Sequence, residues 1–184
     1  MRKTVLLLLS LLTAFTLQAQ KLTDGTLYFL RGEQELNTVF VYERCRFDQK
    51  TEKNFVMEMC DAEGDNWQTR WDKEIRPLLE KTFLGTLSES LSEGLGVRCG
   101  KLPRATYTMR VTLQQVGSTG YAIGTIEFIE NRGGDIIAKM EFNSKGKGNK
   151  KDVIDGMQKA LQNAASESGK FILKNSKRPA IVYD

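Results

Sequence analysis

Three consecutive stretches, ATYTMRVTL (105–113), YAIGTIEFIE (121–130) and IIAKMEF (136–142), constrain the fold of this chain more than any other feature. In the first, Ala105, Tyr107, Met109, Val111 and Leu113 alternate with Thr106, Thr108, Arg110 and Thr112, the period of a half-buried strand. The glycine-bounded GSTG folds it onto the second. A register that sets Leu113 opposite Gly124 also sets Val111 opposite Ile126 and Met109 opposite Phe128, and brings Arg110 to Glu127 on the polar side. After the turn NRGGD, Ile136, Ala138, Met140 and Phe142 extend the apolar row, and Lys139 comes beside Glu127. One apolar sheet face therefore needs a covering layer.

Two amphipathic helices can supply it. Trp67, Trp71, Ile75, Leu78, Leu79, Phe83, Leu87 and Leu91 recur at steps of three and four along one helical face, with Pro77 as an expected kink and Gly94 and Gly96 as the stop. Residues 152–174 form the second helix, with Asp152 as N-cap and Val153, Ile154, Met157, Ala160, Leu161, Ala164, Phe171 and Ile172 as its buried stripe. Upstream, TVFVYERCRF (38–47) and KNFVMEMC (53–60) read as two strands around the turn-forming DQKTEK, after a polar QKLTDG. The order is ββαβββα, an α+β fold in two layers: an antiparallel sheet of about five strands with two helices on one face. The tail KRPAIVYD reads as a short edge strand or an irregular end.

Residues 1–20 carry Arg2 and Lys3, an apolar run from Val5 to Leu17 and the small Ala19, the pattern of a secretory signal peptide cleaved near Ala19. That run is short for a hydrocarbon core about 30 Å thick, and no second apolar stretch of spanning length follows. The first cysteine is Cys45, so no lipid-bearing cysteine stands at the cleavage site. The expectation is a periplasmic or secreted protein with a single domain over 21–184, large enough to bury about 70% of its unfolded surface. Three cysteines permit one bridge; the hairpin expected for 38–60 would hold Cys45 and Cys60 about 13 Å apart, too far for a disulfide, so reduced thiols are expected.

Without Arg2 and Lys3 the chain keeps 25 basic residues against 23 acidic ones, interspersed along its length, which argues against nucleic acid. Histidine is absent, which removes the commonest general base, the Ser-His-Asp and Cys-His systems and most zinc sites. Glu43, Glu58, Glu127 and Glu141 fall in expected strands, where alternation places them on the solvated face. Asp61, Glu63, Asp65 and Asp72 echo a calcium loop, but glycine is at the fourth position where the sixth needs it, and Asp stands where a bidentate Glu belongs. No metal and no cofactor is expected. The loop NSKGKGNKKD lacks P-loop spacing and precedes an acidic N-cap, so Lys145, Lys147, Lys150 and Lys151 read as a solvated connection with loose attraction for anionic surfaces.

On the polar sheet face Tyr121, Ile123, Ile129 and Ile137 interrupt Arg110, Glu127 and Lys139, giving a semi-apolar surface that neither helix is free to cover, a candidate partner site. The segments WDKEIRPLLEKTFLGTLSESLSEGLGV, ATYTMRV, GYAIGTIEFIE and ESGKFILK, taken in order, resemble a family of exported Bacteroidetes proteins of uncharacterised function. The layout over residues 36–175 is more distantly similar to small α/β domains of periplasmic envelope-assembly lipoproteins. The expected function is that of a non-enzymatic binding or assembly-accessory module of the envelope, holding a protein or glycolipid through the exposed sheet face or an edge strand. The alternative is a hydrolase or other enzyme working through carboxylates.

Overall fold

The computed structural model describes residues 20–149 and 151–177. Its centre is the meander β6 (Tyr107–Val116), β7 (Tyr121–Glu130) and β8 (Ile136–Lys145), paired antiparallel. Leu113 faces Gly124, Val111 faces Ile126, Met109 faces Phe128 and Arg110 faces Glu127, so the alternation fixed the register before any tertiary information was needed. Gly124 is glycine for a reason of space: an added Cβ would lie 2.6 Å from the Phe142 ring and 2.3 Å from the Thr112 carbonyl oxygen.

The sheet is larger than five strands and is mixed. Among the described residues eight strands form it, six in the order β1-β8-β7-β6-β2-β5 and two short ones, β3 and β4, beside that path. β1 (Gln20–Gly25), the segment that reads as a polar lead-in, pairs antiparallel with β8. β2 (Glu35–Val41) runs parallel to β6, and β5 (Arg98–Gly100) runs parallel to β2 on its other side. The short β3 (Arg46–Phe47) continues the line of β2 along β6 and turns into β4 (Lys50–Thr51).

The expected strand at 53–60 is instead helix α1 (Glu52–Glu63). Phe55 and Val56 are buried and Met59 and Cys60 half-buried, at i, i+1, i+4 and i+5, which is one helical face. The Thr51 hydroxyl accepts the Asn54 amide at 3.4 Å and opens the helix. The hairpin through 38–60, and the Cys45 to Cys60 distance drawn from it, therefore do not exist. The three thiols are nonetheless free.

The long tryptophan-bearing helix is present in three parts: α2 (Trp67–Arg70), one wide π-type turn (Trp71–Ile75) and α3 (Arg76–Leu95). Pro77 does not kink a continuous helix. It occupies the first turn of α3, where a missing amide hydrogen costs least. Gly96 ends α3 in the left-handed conformation, φ 73°. Of the expected stripe every member is buried except Leu78, which is 40% exposed. Trp67 and Trp71 stack with ring centroids 5.5 Å apart, and Trp71 Nε1 donates to Glu52 of α1 at 2.7 Å.

Helix α4 (Val153–Asn175) closes the layer, with the Asp152 side chain accepting the Asp155 amide at 3.0 Å. α3 and α4 run side by side in the same direction. Gln158 donates to Thr82 near one end, and Leu173 meets Gly94 at the other. Between them Gly169 allows close approach, since a Cβ there would stand 2.7 Å from Ser90 Cβ. Both helices lie on the apolar face, where Phe83 meets Phe142 and Asn163 reaches Ser144. The tail residues 178–184 lie outside the described residues.

Candidate functional site

The residues expected to form a partner surface do share one sheet face. Arg110, Glu127 and Lys139 form a row across β6, β7 and β8: Arg110 stands 2.6 Å from Glu127 Oε2, and Lys139 Nζ stands 2.9 Å from Oε1. Tyr121, Ile123, Ile129 and Ile137 lie half-buried on the same side. Glu127 departs from the expected solvated carboxylate, because its side chain is only 10% exposed. Burial pushes its pKa up, but the hydrogen bonds and charges of Lys139 and Arg110 outweigh this and hold it below the usual carboxylate range. The row sets two cations against one carboxylate and so keeps one net positive charge, and beside it Arg110 and Glu127 line a shallow cleft with Val41, Glu43, Arg44 and Thr112. Glu43, Glu58 and Glu141 are exposed, with Glu43 in a loop and Glu58 on α1 paired to Lys50.

The lysine loop is less solvated than its composition suggests. Lys145, Lys147 and Lys151 are exposed, and Lys150 lies outside the described residues. The backbone, however, docks on the β6–β7 turn: Gly146 N donates to Gly120 O at 2.7 Å and Asn149 N to Ser118 O at 2.8 Å. The Asn149 side chain accepts the amides of Lys151 and Asp152. Asp152 and Asp155 already take the amide and cationic partners at the start of α4, where an anion would bind. In the segment that echoes a calcium loop, Asp61 and Glu63 belong to α1, and Glu63 accepts Trp67 Nε1 at 3.1 Å and pairs with Arg70.

A feature that the sequence reading missed is a groove of about 920 Å³ between β2 and α3. β5 pairs with β2 only from Glu35 to Asn37, so β2 beyond Asn37 has no outer strand among the described residues. Val39 and Phe40 from β2, Pro77, Leu84 and Gly85 from α3, and Cys99 from β5 give the groove an apolar lining. Burial pushes the Cys99 thiol up to about 12, so it packs as a small apolar group. Glu80, Lys81, Glu89 and Lys101 stand around it, two of each sign, and none makes an ion pair among the described residues. Thr38 also lines it, only 6% exposed, with its hydroxyl lacking any hydrogen-bond partner among the described residues. Tyr42, Tyr121 and Ser168 carry hydroxyls in the same condition, so Thr38 is set apart by its place beside the uncovered part of β2 and not by being unpaired.

Two sequence signals point to this groove in retrospect. Val39, Phe40 and Val41 are apolar at successive positions, an unalternated run in which Val39 stays 44% exposed on the face it shares with Arg110. Leu84, Gly85, Ser88 and Ser92 make a second stripe of small and apolar residues on α3, beside the one that packs on the sheet.

No family model and no curated protein matches the chain. Among solved structures, the PelC dodecamer from Paraburkholderia phytofirmans is similar at 12% identity over 86% of this chain and 98% of that chain, with a TM-score of 0.46. A point variant of the same dodecamer is similar at 13% identity with the same coverages and a TM-score of 0.44.

Proposed function

We propose that the chain is an exported, non-enzymatic protein of the cell envelope, a binding or assembly-accessory module that holds its partner in the groove between β2 and α3. The observation that carries this reading is the β2 edge, free of a neighbour among the described residues, beside an apolar groove that contains the buried Thr38 hydroxyl, which those residues leave without a partner. An edge strand is a ready template for a further interaction, and folds that leave one uncovered commonly blunt it with charge or proline. Here the uncovered residues include Thr38, Val39 and Phe40, none of them charged.

The competing reading, an enzyme working through carboxylates, finds little support at this groove. Its two carboxylates, Glu80 and Glu89, are nine residues apart on one helix. At about 1.5 Å per residue they stand about 13.5 Å apart along the axis, against about 5–9.5 Å for working acid–base or nucleophile pairs in glycosidases. The leader-like residues 1–20 support export.

A photo-crosslinking amino acid placed at Leu84 in the groove, at Ile137 on the open face and at Gln162 on the outer side of α4 tests the proposal in cells that make the protein. A discrete adduct with an envelope component is expected from Leu84 and not from Gln162. Absence of adducts from both Leu84 and Ile137, or a chain retained in the cytoplasm, would refute the reading.

A further inference from the structure

We infer that the occupant of the groove is an extended segment of a partner polypeptide, which adds to the free edge of β2 as one more strand and supplies the hydrogen-bond partner that Thr38 lacks. This rests on the reading of the chain as a binding module and names the chemistry of what it binds. Backbone geometry is the first argument. Arg98 N donates to Gln34 O at 2.9 Å, so the Gln34 carbonyl points to the β5 side of β2. Backbone groups alternate sides along a strand, so those of Leu36, Thr38 and Phe40 point the same way. β5 ends at Gly100, opposite Asn37. The outward carbonyl of Thr38 and the outward amide and carbonyl of Phe40 are therefore left with no strand beside them among the described residues, and they open toward the groove. A peptide backbone pairs with such a row and an acyl chain cannot.

Charge and length give the second argument. Glu80, Lys81, Glu89 and Lys101 sum to zero around the groove, which complements a neutral, hydrogen-bonding backbone and offers no excess of either sign to a phosphorylated headgroup or an acidic glycan. Along α3 the lining runs from Pro77 to Ser92. That is about 22 Å at helical rise, about seven extended residues, of which about four can pair with the free edge from Thr38 to Val41 while the rest lie along α3. Alternate side chains of such a segment would meet Phe40, Leu84 and Cys99, and the others would face solvent. Thr38 supplies the third argument: a hydroxyl at 6% exposure with nothing to bond is satisfied when a backbone group arrives beside it.

The test uses phage-displayed random heptapeptides panned on the intact chain, with selected sequences synthesised and titrated by calorimetry. The expected peptides carry apolar residues at alternate positions, and N-methylation of alternate amides lowers affinity about ten-fold or more. Gly85→Trp fills the groove at a site where an added Cβ meets nothing within 4 Å, so it should abolish binding and leave the melting temperature unchanged or higher. Thr38→Val is expected to move two readouts in opposite directions. Removing the unpaired hydroxyl raises the melting temperature by about 2–4 °C, and the lost bond weakens the peptide. Failure to select any micromolar peptide, or selected peptides indifferent to Gly85→Trp, would overturn the inference. Peptides that respond to Ile137→Asp and not to Gly85→Trp would overturn it too, while leaving the binding-module reading intact on the open face. If Ile181→Asp in the intact chain raises peptide affinity about ten-fold, the groove belongs to the chain's own residues 178–184 and the partner assignment falls.

Discussion

Arg110 and Glu127 face each other across β6 and β7, and the guanidinium holds the carboxylate twice, through Nε at 2.8 Å and Nη2 at 2.6 Å. Lys139 of β8 takes the other carboxylate oxygen. Burial alone would raise the Glu127 pKa; the two cations and their hydrogen bonds bring it below the unfolded value of about 4.3. A depressed folded pKa means a stabilising contribution that is complete above the unfolded value and is lost as pH falls through the folded one. Glu127→Gln should therefore cost about 1–2 kcal/mol near neutral pH, tempered by the 39% exposure of both cations, and progressively less as pH falls below the unfolded value. Urea unfolding of both proteins at pH 7 and pH 3 checks this; a difference that persists undiminished in acid would show that the charge is not what the row contributes.

The thiols should separate by reactivity. Burial pushes Cys45 and Cys99 up to about 12, with the Glu52 carboxylate adding to the effect at Cys45 and Arg76 opposing it. At pH 8 only about one molecule in ten thousand would carry either thiolate. Native protein treated with iodoacetamide at pH 8 should label at Cys60 of α1 and gain the other two labels only on unfolding. All three thiols are free, so thermal melts with and without reductant should coincide, and a shift of several degrees would contradict the unbridged arrangement.

Two glycines, one in each of the neighbouring helices α3 and α4, should respond in opposite directions. A Cβ on Gly169 would meet Ser90 Cβ at 2.7 Å across the α3–α4 contact, so Gly169→Ala should destabilise by about 1–3 kcal/mol as the helices are forced apart. A Cβ on Gly85 meets nothing within 4 Å. Gly85→Ala should stabilise by about 0.5–1 kcal/mol through helix propensity. Equal effects of the two changes in chemical denaturation would argue against the close helix contact.

The parts of the fold legible in the sequence are those set by local pattern. Alternation specified the β6–β8 register because a one-residue slip would turn Met109, Val111 and Leu113 to solvent. The stripe from Trp67 to Leu91 specified the covering helix. KNFVMEMC misled because five apolar residues in a stretch of eight carry no decisive period; its Met, Glu and Lys favour helix, and the Thr51 cap was the signal to weigh. The groove was illegible because it depends on two parallel pairings of β2, with β5 and with β6, between segments more than sixty residues apart in the chain. No local pattern states that β5 will stop at Gly100 and leave Thr38 to Val41 without an outer neighbour.

The loop KGKGNKKD gives the sharpest test of composition against geometry. Its lysines suggest function, yet its glycines carry the structure. An added Cβ on Gly148 would lie 2.1 Å from the Ser118 carbonyl oxygen and 2.4 Å from the Gly120 amide nitrogen, both backbone atoms of the β6–β7 turn. Backbone cannot step aside as a side chain can, so Gly148→Ala should detach the loop, lose the Asn149 to Ser118 hydrogen bond and destabilise the protein by about 2–3 kcal/mol. Replacing the exposed Lys145, Lys147 and Lys151, together with Lys150, by serine should leave the melting temperature nearly unchanged, at about 0.5 kcal/mol or less for each surface change. The same four-lysine variant should sediment less with anionic vesicles at low salt, and the parent protein should lose that attraction at physiological ionic strength, where screening shortens to about 8 Å. Asp152 and Asp155 occupy the start of α4, so binding of inorganic phosphate that survives high salt is not expected. Calorimetry showing micromolar, salt-resistant phosphate binding that vanishes in the four-lysine variant would overturn this account of the loop.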